Sequence, residues 1–156
     1  MRRRLGLFIA TFGYIGYAPI APGTFGSAAG LAVFYGVRHL GSVSIEIAAI
    51  LALFAIGIWS GTEAEHHFGG VDPGPVVLDE VVGMLITLAL IPVNLAGAIV
   101  GFIVFRVLDV VKPWPSAQLE GLPGGLGVMA DDGMAALYGN AIMRALIWAA
   151  PVGWLA

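Results

Sequence analysis

The sequence predicts an all-α protein, a polytopic membrane helix bundle of about four to five helices, some of them short or re-entrant. Three observations carry this expectation. Hydrophobic residues make up 59% of the chain and charged residues 11%, with a mean hydropathy of +0.94, whereas a soluble domain carries roughly 25% charged residues. The apolar residues come in long runs broken by Pro, Gly and Asn, and a lipid-exposed backbone satisfies its polar groups internally as a helix. The few acidic side chains cluster at the ends of those runs.

Length and charge bound the rest. At 156 residues the chain reads as a single membrane-embedded domain, 1–156. It has no cysteine, which removes disulfides, thiol catalysis and thiolate metal sites. A net charge of −3 with scattered basic residues gives no nucleic-acid footprint, so no nucleic-acid partner is expected.

The elements follow in order. Met1-Arg2-Arg3-Arg4 precedes an apolar run that contains Gly6, Gly13 and Gly16 and meets Pro19 and Pro22. Without a clean small-residue cleavage site it reads as a retained cytoplasmic anchor. A first helix is expected over about 24–39 and a second over about 43–60, with Glu46 near its start. The run 76–109 is too long for one span of about 20 residues. Ile91-Pro92-Val93-Asn94 in its middle favours a turn, hence two helices, about 76–91 and 94–110. The last helix is expected over about 132–150, before Pro151.

Parity then sets the topology. With the triple Arg in the cytoplasm, the 61–75 and 106–131 segments face the same side. The tip of the 76–110 hairpin, Pro92 to Asn94, faces the other. All acidic motifs then share the cytoplasmic face. Trp59, Trp114, Trp148 and Trp154 fall near the expected interfaces. The pairs Gly26/Gly30, Gly57/Gly61 and Gly97/Gly101 have a spacing that lets helix backbones approach.

Four stretches can carry chemistry. Asp79-Glu80 could simply favour a helix start, where free N–H groups attract negative charge. Two adjacent like charges exceed that need, and Gly83, one turn on, would leave room for a ligand. Arg106, Asp109 and Lys112 share one helical face at i, i+3 and i+6. They read as a surface ion-pair ladder or as a phosphate clamp beside a metal ligand. Asp131-Asp132 closes a Gly-rich segment at the start of the last helix. One Asp would serve as a cap and two suggest a metal. Ala21-Pro22-Gly23-Thr24-Phe25-Gly26-Ser27 runs from a tight turn into a helix. There Gly23, Thr24 and Ser27 could meet an anion, with Thr24 as the natural N-cap. His66-His67, near Glu63, Glu65 and Asp72, read as part of a solvated loop, and Glu46, Asn140 and Arg144 as structural.

Together these stretches resemble the phosphatidylglycerophosphatase A family. The resemblance rests on Ala21-Pro22-Gly23-Thr24-Phe25-Gly26-Ser27, Val77-Leu78-Asp79-Glu80-Val81-Val82-Gly83, Phe105-Arg106 with Asp109, Lys112-Pro113-Trp114-Pro115, and Gly124-Gly125 with Asp131-Asp132. They occur in family order over residues 12–140. The chain departs at Ala135-Ala136, where the family usually has Ala-Gly, and at Gly133, where it usually has a bulkier residue. The resemblance implies a Mg²⁺-dependent lipid phosphatase of the bacterial inner membrane. It would convert phosphatidylglycerophosphate to phosphatidylglycerol and phosphate.

On that reading Asp79, Glu80 and Asp132 are catalytic. Asp79, Glu80, Asp109, Asp131 and Asp132 are metal ligands. Gly23, Thr24, Ser27, Arg106 and Lys112 bind substrate. With no Cys, no Asp-x-Asp pair and no His near the motifs, attack by a metal-activated water is favoured. An aspartyl-phosphate on Asp79 or Asp132 stays open. The alternative from another class is a cation transporter or channel using intramembrane carboxylates, which needs a path from the acidic cluster to the far side.

Overall fold

The computed structural model describes residues 2–156. Its elements are α1 (Arg2–Ala10), a 3₁₀ turn (Ile15–Tyr17), α2 (Pro22–His39), α3 (Val43–Phe68), α4 (Leu78–Thr87), α5 (Leu95–Val111), α6 (Ser116–Leu119) and α7 (Gly125–Ala149). The described residues contain no strand, so the all-α class holds. Among the described residues seven α-helices replace the expected four to five, because the N-terminal run and the segment after Pro115 are helical too. Met1 lies outside the described residues.

The boundaries shift where apolar sequence offers no periodicity. α3 continues two turns past Ser60, so most of the expected 61–75 loop is helix. Ala64 is fully buried there, while Glu63 pairs with Arg2 (3.4 Å) and His67 meets Arg3. α7 begins at Gly125 rather than near Asp132. Gly125 donates its N–H to Thr62 Oγ1 (2.9 Å), and a Cβ on Gly125 would stand 3.0 Å from Gly61 Cα. The glycines here are a close helix crossing, not a mobile loop. All three expected glycine pairs lie at contacts: Gly26/Gly30 against α4, Gly57/Gly61 against Met129 and Gly125, and Gly97/Gly101 against Leu155 and Leu88.

α2, α3, α4, α5 and α7 run alternately up and down. One end is tied by Arg38, whose guanidinium donates to Ile91 O (3.0 Å), Leu88 O (3.2 Å) and Glu46 Oε1 (3.1 Å). The Leu90 N–H donates to the same Glu46 oxygen (3.0 Å). Asn94 caps α5 by accepting from the Gly97 N–H (3.0 Å) and donates to Gly153 O and Trp154 O, both at 3.2 Å. The expected turn at 91–94 is therefore real. It places the starts of α2, α4 and α7 and the ends of α3 and α5 together at the opposite end.

The interior is apolar but also holds polar and charged side chains, and much of the exterior is apolar as well. Asp79, Asp131, Asp132, Ser27, Ser60 and Thr87 are buried, while Leu51, Leu95, Ile99, Ile103, Val107, Leu137 and Trp148 are exposed. α4 is buried nearly all round, as a central helix must be to be apolar on every face. Its 10 residues rise only about 15 Å, half of the roughly 30 Å hydrocarbon layer. Among the described residues one helix, α3 with 26 residues, is long and apolar enough to cross a membrane by length and composition.

Candidate active site

The carboxylates gather at the end opposite Arg38. A turn over Pro73–Val76, closed by the Val76 N–H donating to Pro73 O (2.8 Å), leads into α4, and the Val77 N–H donates to Ala10 O (2.9 Å). This anchors the first turn of α4, which carries Asp79 and Glu80. α7 passes alongside and presents Asp132 from its third turn. Among the described residues one group of potential metal ligands converges: Asp79, Glu80 and Asp132 offer oxygens all within 4.8 Å of one another. Asp79 Oδ1, Glu80 Oε2 and Asp132 Oδ2 are buried with no hydrogen-bond partner.

α5 supplies the counter-charge. Arg106 Nη1 stands 2.5 Å from Asp109 Oδ2 and 3.6 Å from Glu80 Oε1. Asp79, Glu80, Asp109 and Asp132 thus share this end of the bundle with one guanidinium, which contacts Glu80 and Asp109. Unpaired buried charge is costly, and hard oxygen donors at this spacing suit a small divalent cation. Mg²⁺–O bonds of about 2.0–2.1 Å imply ligand oxygens roughly 3–4 Å apart, within the observed limit. The residues present fit a Mg²⁺ ion.

The start of α2 closes over this group. Ala21 adopts a left-handed conformation (φ 49°) and Pro22 opens the helix. The Thr24 N–H is taken by Ala21 O (2.9 Å). Thr24 is thus inside the first turn rather than its cap, and its side chain is exposed. Gly23 lies against Glu80 and Arg106. A Cβ there would overlap Glu80 Oε1 and come within 2.9 Å of Arg106 Nη1. Ser27 is buried and donates its hydroxyl to Gly23 O (2.9 Å), so its proton serves the turn rather than an anion.

Two expected site residues stand apart from the convergent group. Lys112, expected on phosphate, lies 2.6 Å from Asp131 Oδ2, 3.2 Å from Glu120 Oε2 and 3.7 Å from Asp72 Oδ2. Asp131, expected as a metal ligand, turns to that ammonium. Adjacent helical residues point about 100° apart, so Asp131 and Asp132 cannot share one ligand position. Burial works to lower the Lys112 pKa, but the Asp131 hydrogen bond and the charges of Asp131 and Asp72 outweigh it, and the pKa is raised. Burial raises that of Asp72, against Lys112 and with help from Glu120 and Asp109. Lys112 also ends α5 in a left-handed conformation (φ 46°) before Pro113. Asp72 and Glu120 were not singled out from sequence as Lys112 partners; they sit in loops whose path no local pattern reveals. A further correction concerns Gly83: the Phe105 ring fills the space beside it, so no ligand volume remains there.

The sequence profile of the phosphatidylglycerophosphatase A family matches residues 8–147. The chain belongs to this family. It is 35% identical to the phosphatidylglycerophosphatase A of Escherichia coli over 130 residues, 82% of this chain and 75% of the relative. The phosphatidylglycerophosphatase A of Haemophilus influenzae is 35% identical over 130 residues, 81% and 78% of the two chains. A Bacteroides thetaiotaomicron protein provisionally named phosphatidylinositol-3-phosphatase is 34% identical over 140 residues, 85% and 87%. No solved structure matches the chain. The transporter reading finds no support in these relatives. Below the carboxylates, Phe105, Met84, Leu88 and Met143 pack without exposure into one apolar cluster that fills the interior.

Proposed function

We propose that this chain is a Mg²⁺-dependent phosphatidylglycerophosphatase acting at the cytoplasmic face of a bacterial inner membrane, which it crosses several times. The observation that carries the reading is the convergence of three carboxylates, each with a buried oxygen that has no hydrogen-bond partner, beside one arginine in a chain of this family. The apolar exterior and the long α3 support residence in a bilayer. Arg2, Arg3 and Arg4 open α1, which packs on α3 beside the site end, and so support a cytoplasmic orientation.

Asp79 and Asp132 would hold the ion, and Glu80 lies beside Arg106. Bound there, Mg²⁺ supplies Lewis-acid polarisation of the phosphoryl group and eases ionisation of a water. Arg106 forks onto phosphate oxygens, and Asp109 fixes its plane. Glu80 is placed to accept the proton of the attacking water. Water oxygen bonds to phosphorus, the bond to the glycerol oxygen breaks, and that oxygen takes up a proton. The products are phosphatidylglycerol and inorganic phosphate. The Gly23 turn lies tight against Glu80 and Arg106.

The test is phosphate release by purified protein from several lipid phosphates, with and without Mg²⁺. Release from phosphatidylglycerophosphate that EDTA abolishes is expected. Preference for an inositol lipid phosphate would reassign the substrate, and metal-independent release would remove the metal.

A further inference from the structure

We propose that an open groove between the start of α2 and the outer face of α5 is the seat of a substrate acyl chain, so that the lipid reaches the site sideways from the bilayer. This rests on the reading of the site as a lipid phosphatase. The groove measures about 410 Å³ and is lined by Phe102, Ile103, Val107, Val110 and Val111, with Thr24 and Arg106 as its polar members. That volume is in the range of ligand clefts.

Its polarity is graded. Arg106 stands at the groove and at the site at once, since the same guanidinium contacts Asp109 and Glu80. A phosphate drawn to Arg106 leaves the rest of the molecule two directions, outward to water or along α5. Along α5 the surface is apolar: Leu95, Ile99, Ile103 and Val107 recur every four residues and are all exposed, while Gly97, Ala98, Gly101 and Phe105 face inward. The exposed stripe runs from the Arg106 end toward the Asn94 end, along what would be the bilayer normal. A charged head at one terminus and an apolar track below it match a lipid phosphate with its chains left in the membrane. Elsewhere charge and apolar track do not combine in this way: the groove at the Arg38 end has its cation paired to Glu46 and lies away from the site carboxylates. The one between α3 and α7, lined by Leu51, Phe54, Leu119 and Leu137 among others, contains no charged residue.

The experiment compares dioleoyl phosphatidylglycerophosphate with its deacylated headgroup, glycerophosphoglycerol phosphate, as substrates of the full chain in mixed micelles. Val107→Trp blocks the groove without replacing a carboxylate. It should lower kcat/KM for the dioleoyl substrate about ten- to a hundredfold by misplacing the phosphate, while turnover of the deacylated substrate stays unchanged. Leu137→Trp, in the other groove, should change neither. Equal loss on both substrates, no loss on either, or loss with Leu137→Trp instead would overturn the groove. A wild-type chain inactive on both substrates would instead sink the phosphatase reading itself. Should Val107→Trp fail to fold, photocrosslinking of wild type with a lipid phosphate bearing a diazirine on its acyl chain decides. Label on the α5 peptide around 102–111 supports the seat, and label confined to α3 or α7 excludes it.

Discussion

Lys112 Nζ lies 2.6 Å from Asp131 Oδ2, joining the end of α5 to α7 across 19 residues of sequence. Asp131 is 2% exposed and Lys112 23%, so this is a largely buried pair. With Asp72 and Glu120 it ties two loops to the mouth of the site. Removing the ammonium leaves a buried carboxylate uncompensated. Lys112→Met should therefore lower the unfolding temperature in detergent, and adding Asp131→Asn should restore part of the loss. A coupling of about 1–3 kcal/mol is expected from the double-mutant cycle. Additive losses in that cycle would return Lys112 to the phosphate.

Metal binding should be visible without turnover. A ligand that binds only the folded chain stabilises it by RT ln(1 + [L]/Kd), about 2.7 kcal/mol at a hundredfold excess over Kd. Mg²⁺ titration should raise the melting temperature of the wild type. Asp79→Asn and Asp132→Asn should need more Mg²⁺ for the same rise, since each replaces one of the converging carboxylates by a neutral amide. Equal stabilisation of all three proteins would place the ion elsewhere.

How far the site could be read in advance depended on where charge sits in the chain. Charged residues are so few that Asp79, Glu80, Arg106, Asp109 and Asp132 stand out. The Pro92 and Asn94 turn, with the up-and-down path it implies, was enough to bring them to one end. Pairings made by loops were hidden: nothing local tells that Lys112 turns to Asp131, or that Phe105 fills the space beside Gly83. Helix boundaries were blurred for a related reason. Where every face is apolar, periodicity vanishes, so the extra turns of α3 and the early start of α7 had no signal except Gly61 and Gly125. Gly61 belongs to a close-approach pair and Gly125 to a Gly-rich segment, and the two form a crossing point.

At the far end, Arg38 should matter for folding and not for chemistry. It satisfies Leu88 O and Ile91 O at the end of α4 and pairs with the buried Glu46. Arg38→Met strands that carboxylate and should cost about 3–5 kcal/mol, read as a lower melting temperature. The fraction that remains folded should turn over substrate normally. A selective loss of kcat at unchanged stability would put Arg38 in the reaction.

Orientation can be tested with single cysteines in this cysteine-free chain. Gly74 and Pro92 are both exposed and lie at opposite ends, and a Cβ on Gly74 meets nothing within 4 Å. In intact cells, Pro92→Cys should react with an impermeant maleimide. Gly74→Cys should react only after the membrane is opened. The reverse pattern would place the site outside the cytoplasm.

Substrate and metal roles should separate in kinetics. Arg106→Lys keeps the charge but loses the planar guanidinium, whose Nη1 contacts Asp109 and Glu80 and whose remaining N–H groups would meet the phosphate. Loss of one charge-assisted hydrogen bond should cost roughly 1.5–3 kcal/mol, or about 10- to 150-fold in kcat/KM. The Mg²⁺ concentration for half-maximal rate should barely move, because Arg106 is not a ligand. Asp132→Asn should show the opposite pattern, a higher Mg²⁺ requirement that excess metal partly restores. The two variants are compared by titrating Mg²⁺ against phosphate release at fixed lipid. Rescue of Arg106→Lys by metal, with no rescue of Asp132→Asn, would exchange the roles assigned to the two side chains.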